Sequence, residues 1–186
     1  MKAQTIENGV PAQEALNAIK QGLRVATDDG GEVLQFLSFS VGKETYAVDI
    51  MSVQEIKGWS ETTSLPKTPE YMRGVLNLRG CVIPVFDLRS RFGKGSTEVD
   101  TTHVVIVLSL RNGHNLGLLV DSVSDILTVE HSEIKPSPQV QGDVEDRFIN
   151  GLISHENMMV ILLDVAKLFS EESLEGAKSV AQQHTA

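Results

Sequence analysis

An internal repeat constrains this 186-residue chain more than any other feature. Ala47-Val-Asp-Ile-Met-Ser-Val-Gln-Glu-Ile56 aligns with Gly117-Leu-Leu-Val-Asp-Ser-Val-Ser-Asp-Ile126 at an offset of 70 residues. Gly74-Val-Leu76 aligns with Gly151-Leu-Ile153 at an offset of 77, and the same offset carries Ile83–Phe92 onto Val160–Phe169, with Asp87 over Asp164. The matches come in the same order in both halves, the mark of a duplication. A half of about 60–70 residues built from short strands has a marginal core by itself. Two small barrels packed about a pseudo-two-fold axis would bury a shared core and leave a groove at their junction, a natural docking place for a helix.

The strand signals fit this arrangement. Glu32–Val41, Thr45–Asp49, Val82–Leu88, Thr102–Leu110, Asn115–Val120 and Met158–Leu163 are rich in Val, Ile, Leu and Phe over strand lengths. Gly42-Lys43-Glu44 reads as a turn, and Asn112-Gly113 is a strong hairpin signal. Ile50–Lys57 and Val123–Glu130 fit strand or short helix equally. Asp164–Phe169 reads as helix from the spacing of Val165, Leu168 and Phe169. Residues 1–32 form an extension in which Leu16, Ile19, Leu23 and Ala26 give one helix from Pro11 to Ala26 an apolar stripe. It is expected to dock loosely. Residues 170–186 are polar and read as a flexible tail.

Charge narrows the function. The chain carries 16 basic and 25 acidic residues, a net charge of −9. Nonspecific affinity for nucleic acid comes from Lys and Arg, so a nucleic-acid partner is not expected. Aromatic residues at 5% give no base-stacking platform. No apolar run approaches the ~18 residues of a membrane span, and Met1–Val10 lacks a secretion signal. A soluble cytoplasmic protein without membrane insertion is expected. The charge is also uneven. Lys67–Lys94 has a net +4 and Gly95–Phe169 a net −7, a polarity suited to oriented protein contacts or to solvated loops.

Catalytic signatures are missing. Cys81 is the only cysteine, which excludes an internal disulfide and a thiolate metal cluster; it reads as a buried small hydrophobe. Gly93-Lys94-Gly95-Ser96 lacks the earlier glycine of a phosphate loop, since Leu88 stands there. The histidines His103, His114, His131, His155 and His184 form no i, i+4 ligand pair, and no Gly-x-Ser-x-Gly elbow occurs. No metal and no cofactor is expected. What remains is a charged pair, Glu55 in Val53-Gln-Glu-Ile56 and Arg79 in Asn77-Leu-Arg-Gly80. Apolar Val75, Leu76, Leu78 and Val82 flank Arg79, placing it on the rim of an apolar surface where arginine is a frequent interface anchor. The plainer reading is an exposed ion pair worth at most ~1 kcal/mol. The second half has Ser154-His-Glu-Asn157 at this place, so the arginine is not a requirement of the fold.

On these residues the sequence resembles the CheW family of chemotaxis coupling proteins. The resemblance is carried by Phe36-Leu-Ser-Phe39, Tyr46-Ala-Val-Asp-Ile50, Val53-Gln-Glu-Ile56, Pro69 through Gly74, Gly74-Val-Leu-Asn-Leu-Arg-Gly80, Ile83-Pro-Val-Phe-Asp-Leu-Arg89 and Val120-Asp-Ser-Val-Ser-Asp125. It spans Val33 to Phe169. It implies a mostly β domain over 33–169, of two SH3-like five-stranded β-barrels related by a pseudo-two-fold axis and sharing a hydrophobic core, with short helices. It also implies a non-catalytic adaptor between the cytoplasmic tip of methyl-accepting chemotaxis proteins and the histidine kinase CheA, recruited to membrane-associated receptor arrays, with further CheW copies as ring neighbours. By motif, Val53, Glu55, Gly74 and Arg79 are the receptor-contacting or receptor-coupling set, with Gly74 permitting close backbone approach. Lys135 and Val140, around Pro136-Ser-Pro138, fall where the family meets the kinase, although Val140 replaces a common aromatic. The residue-level rival is a small β-barrel enzyme or ligand-binding domain, which needs an enclosed pocket with convergent polar groups.

Overall fold

The computed structural model describes residues 4–5, 16–17, 33–110, 113–137 and 148–169. Its strands are β1 (Gln4–Thr5), β2 (Val33–Val41), β3 (Glu44–Asp49), β4 (Val53–Gly58), β5 (Met72–Leu78), β6 (Cys81–Asp87), β7 (Val104–Ser109), β8 (Asn115–Val120), β9 (Ser122–Glu130), β10 (Ile149–His155) and β11 (Met158–Leu163). Short helices Leu88–Arg91 and Val165–Leu168 follow β6 and β11. One sheet runs β4-β7-β8-β6-β5; the other runs β9-β2-β3-β11-β10 with β1 added at its edge. The fold is mostly β, in two five-stranded sheets, as expected. Both ambiguous stretches resolve to strand, the first after a 3-10 turn at Ile50–Ser52.

The duplication is visible residue by residue. The offset of 77 carries β5 onto β10 and helix Leu88–Arg91 onto helix Val165–Leu168. Each helix is capped by the aspartate before it. Asp87 accepts from Ser90 N, and Asp164 from Lys167 N. The N–H groups of these two aspartates donate to the carbonyls of Tyr71 and Phe148, themselves 77 apart, both at 2.7 Å.

The barrels do not, however, coincide with the repeats. The first barrel takes β4, β5 and β6 from the first half and β7 and β8 from the second. The other takes β9, β10 and β11 from the second half and β2 and β3 from the first. Ladders β4–β7, β6–β8, β2–β9 and β3–β11 all join the two halves, and the β6–β8 and β3–β11 pairings are parallel. A parallel pair cannot close through a tight hairpin, so its strands must come from distant parts of the chain. The chain crosses between barrels twice, at Ile50–Ser52 and at Asp121. Each barrel closes by one isolated bridge, Thr63↔Val75 in the first and Lys135↔Leu152 in the second. Closure hides the edges a five-stranded sheet would otherwise present.

Three apolar clusters follow. Leu76, Ile83 and Val85 help fill the first barrel, and their repeat equivalents Ile153, Val160 and Leu162 help fill the second. The largest cluster lies between the barrels and includes Phe39, Tyr46, Val53, Phe86, Ile106, Leu118 and Phe169. Leu16, in the part of the extension that is described, is helical and fully buried in this shared core, so this contact is not the loose docking expected from sequence. The rest of the expected Pro11–Ala26 helix and the 170–186 tail lie outside the described residues.

One side chain stands close to the pseudo-two-fold axis. The Arg91 guanidinium lies 5.1 Å from the Tyr71 ring centre and 4.8 Å from that of Phe148, two equivalent residues. It donates twice, at 3.2 and 3.1 Å, to the carbonyl of Leu168, its own repeat equivalent. Near an axis only one copy of a charged side chain fits, because two guanidinium groups would meet and repel. The duplication therefore carries Arg at one position and Leu at the other.

Two outcomes are expected. Residues 1–101 or 102–186 expressed alone give an unfolded circular-dichroism spectrum, and mixing them restores β signal, because each barrel needs strands from both. Leu168→Arg, which buries a second guanidinium where Leu168 is 1% exposed, lowers the unfolding free energy by about 3–5 kcal/mol in urea titrations.

Candidate functional site

The β5–β6 hairpin places Arg79. Leu78 pairs with Cys81, leaving a two-residue loop, Arg79-Gly80, with φ of 53° and 85°. Positive φ at both central residues defines the type I′ turn that matches strand twist, and a non-glycine residue there costs about 1–2 kcal/mol. Asn77 supports the loop by accepting from Gly80 N at 3.0 Å. The Arg79 side chain is 86% exposed, and its Nη2 lies 3.3 Å from Glu55 Oε2. The proposed pair thus exists, with a correction to its setting. Strands β4 and β5, which carry Glu55 and lead to Arg79, are opposite edges of the sheet, and barrel closure brings them together. The equivalent hairpin between β10 and β11 turns through Glu156-Asn157, both also at positive φ. Equivalent strained turns therefore present Arg79 on one barrel and Glu156 on the other.

The remaining residues of the sequence-derived set have internal positions. The Val53 side chain is fully buried in the shared core. Gly74 sits at a β-bulge with φ of 133°, and a Cβ there would clash with the carbonyl oxygen of Thr63. The close approach that Gly74 permits is thus to the strand segment closing its own barrel. Gly151 makes the same approach to Ile134 and Lys135 in the second barrel. Lys135 is exposed and forms that barrel's closing bridge, bonding Leu152 in both directions at 2.9 and 2.8 Å. It lies on the opposite barrel from Arg79. Val140 lies outside the described residues.

Two sequence expectations are corrected. Cys81 is exposed rather than buried, because it occupies the first position of β6 immediately after the turn. The basic segment is not a free cationic face. Arg73 bonds Ser96 Oγ and the Thr97 carbonyl and flanks the fully buried Asp87 at 3.7 Å. Arg89 pairs with Asp121 at 2.6 Å, Arg91 spans the axis, and Lys94 pairs with Glu44 at 2.5 Å. Arginines close in sequence are spent on joining distant segments, which composition alone does not reveal.

A groove of about 350 Å³ opens at the first crossing between barrels, where the repeat argument expected one. Val48, Asp49 and Ser52 form one wall, Ser109 and Leu110 a second, and Asn150 with Leu163 through Ala166 the third. Its walls mix apolar side chains with two carboxylates, and Met51, 66% exposed, lies in the crossing turn between wall residues Asp49 and Ser52. Ser52 leads directly into β4, which carries Glu55. The repeat implies a groove but none of these residues, since its walls come from four separate segments.

Fold, repeat and groove together define a paired β-barrel domain with an open junction. Comparison with known proteins identifies its kind. The sequence matches the CheW-like domain over residues 35–173, and the chain belongs to that family. It is 42% identical over 143 residues to a probable chemotaxis protein CheW of Rhizobium etli, covering 77% of this chain and 92% of that protein. It is 36% identical over 165 residues to the chemotaxis protein CheW of Klebsiella aerogenes, covering 88% and 99%. The crystal structure of the scaffolding protein TtCheW from Thermoanaerobacter tengcongensis superposes with a TM-score of 0.70 at 29% identity, covering 81% of this chain and 96% of that one. Among the described residues, no helix is long and apolar enough to cross a membrane.

The geometry separates architecture from surface. Gly74→Ala should lower stability by about 2–3 kcal/mol, since it adds a clash to a strained φ. Arg79→Ala should change it by under ~1 kcal/mol, as expected for an exposed ion pair. Paired thermal and urea unfolding measurements check both.

Proposed function

We propose that this chain is a non-catalytic chemotaxis adaptor that couples methyl-accepting chemoreceptors to the histidine kinase CheA, working in the cytoplasm at membrane-associated arrays. One observation carries the reading. Arg79 is held in a left-handed conformation in which glycine is easier, braced by Glu55 and projected into solvent. A chain selected for stability alone gains nothing from arginine at that position, so the strain marks a contact made by the side chain.

In this reading the receptor tip, a helical segment, docks along the first barrel between the junction groove and the Arg79 hairpin, with β4 running between them. Glu55 and Arg79 supply the charged contacts. Val53 and Gly74 act through architecture, one by filling the core beneath β4 and the other by letting the barrel close. The kinase docks on the opposite barrel, where Lys135 is exposed, with Val140 five residues further on in the sequence. Putting the two partners on different barrels lets one small domain hold both at once and leaves room for further copies as ring neighbours.

Reconstitution tests the reading. Purified protein mixed with receptor cytoplasmic fragments and kinase should co-sediment with both and change kinase activity; no co-sedimentation and no change in activity would reject the adaptor role. Within that assay, Arg79→Gly should hold stability within about 1 kcal/mol, because relief of turn strain offsets the lost ion pair, yet should abolish receptor coupling. Arg79→Glu should do the same, and Glu55→Arg combined with Arg79→Glu should recover part of the coupling if the pair orients the surface. Full coupling by Arg79→Gly would remove Arg79 from the contact.

A further inference from the structure

The groove is one of two equivalent junctions, and the other is filled. Val48, Asp49 and Ser52 correspond by the offset of 70 to Leu118, Leu119 and Ser122; Asn150 and Leu163 through Ala166 correspond by the offset of 77 to Arg73 and Phe86 through Arg89. Aligned through the β7–β8 and β2–β3 ladders, Ser109 corresponds to Ser40. At the filled junction Ser40 and Ser122 touch, their Oγ atoms 2.7 Å apart. Arg89 reaches across it to Asp121, whose carboxylate also accepts from Gly42 N at 2.8 Å. Arg73 flanks Asp87, which Thr97 holds through its N–H at 2.8 Å and its hydroxyl at 2.7 Å.

At the open junction the same positions carry smaller or uncharged groups. Ala166 stands for Arg89, Asn150 for Arg73 and Met51 for Asp121. Ser52 turns back to the Asp49 carbonyl at 2.6 Å instead of meeting Ser109. The carboxylate at the filled site's centre is nevertheless kept. Asp164 corresponds to Asp87 and lies in the groove, with Asp49 beside it. Among the described residues its ion-pair partner is Lys167, at 2.9 Å, an i, i+3 neighbour whose side chain is 61% exposed. Such a pair is weak and readily exchanged. Among the described residues, the groove thus keeps the anionic floor of the filled junction and lacks its two guanidinium groups.

We propose that the open junction binds an arginine presented by a partner protein, its guanidinium pairing with Asp164 as Arg73 flanks Asp87 in the filled junction. A planar guanidinium suits this role better than an ammonium, because it can donate to a carboxylate and to serine and amide oxygens at once. The apolar walls, Val48, Leu110 and Val165, cover the methylene stem. The proposal deepens the docking reading above and rests on it for the identity of the partner.

The test uses the full chain and two readouts. In amide NMR titrations, argininamide should shift Ser52, Ser109, Asn150 and Asp164–Ala166 saturably, lysinamide should do so more weakly, and alaninamide not at all. Asp164→Asn, which keeps a helix-capping side chain, should weaken argininamide binding by about tenfold. Ala166→Arg, which refills the junction in cis at an exposed position, should abolish it and reduce co-sedimentation with receptor fragments by about tenfold, with unchanged melting temperature. Shifts spread over the acidic surface, equal shifts with lysinamide, or no effect of Asp164→Asn would overturn the proposal. If the wild type binds receptor fragments and Ala166→Arg binds equally well, the arginine proposal fails while the docking reading stands. If the wild type binds no receptor fragment but argininamide occupies the groove, the docking reading fails and arginine recognition stands.

Discussion

Everything in this structure depends on strands exchanged between two repeats. Each barrel needs two parallel or antiparallel ladders whose partners come from the other half of the chain: β4–β7 and β6–β8 in one, β2–β9 and β3–β11 in the other. A half by itself would leave backbone donors and acceptors unpaired and half of each barrel interior exposed, and a domain this small has no spare stability to cover that. Exchange turns two marginal cores into three connected ones and fixes the barrels relative to each other. A rigid frame of this kind is what an adaptor needs if partners on its two barrels are to be held in a set orientation.

Within that symmetric frame, a few positions depart from symmetry. Arg91 occupies the axis because only one guanidinium can, and it binds the carbonyl of the leucine that replaces it in the other copy. One junction is closed by Arg73, Arg89 and Asp121; the other keeps Asn150, Ala166 and Met51 and stays open. One hairpin turn projects Arg79 and its equivalent Glu156. A duplicated fold supplies two copies of every feature. Once one copy has secured the architecture, its twin is free to depart from it.

Much of this was legible in the sequence. The register at offset 77 set Gly74 over Gly151 and Asp87 over Asp164 in the sequence, while the helix after Asp87 and the bulge and capping roles of these residues emerged only in the structure. The apolar runs located most strands. Arg79 stood out because the other copy of the repeat has Glu156 in its place, whereas Glu55 keeps a carboxylate counterpart in Asp125. Less was legible where the reason was long-range. Cys81 was misplaced because its apolar neighbours suggested burial, while its position directly after a turn exposes it. The +4 segment read as a surface for oriented protein contacts or as solvated loops, while four of its residues are tied to Asp87, Glu44, Asp121 and the Leu168 carbonyl, partners up to 77 residues away.

The sequence by itself determined that this chain is a duplicated, mostly β domain, because repeats and turn signals survive reading in one dimension, and its resemblance to the CheW family implied the adaptor class. Which strands share a barrel, that Arg91 stands on the axis, and that one junction is filled while its twin is open were decided only by the tertiary structure. Those features depend on pairings between residues far apart in the chain, and a side chain's partner, unlike its propensity, is set by what the fold brings beside it.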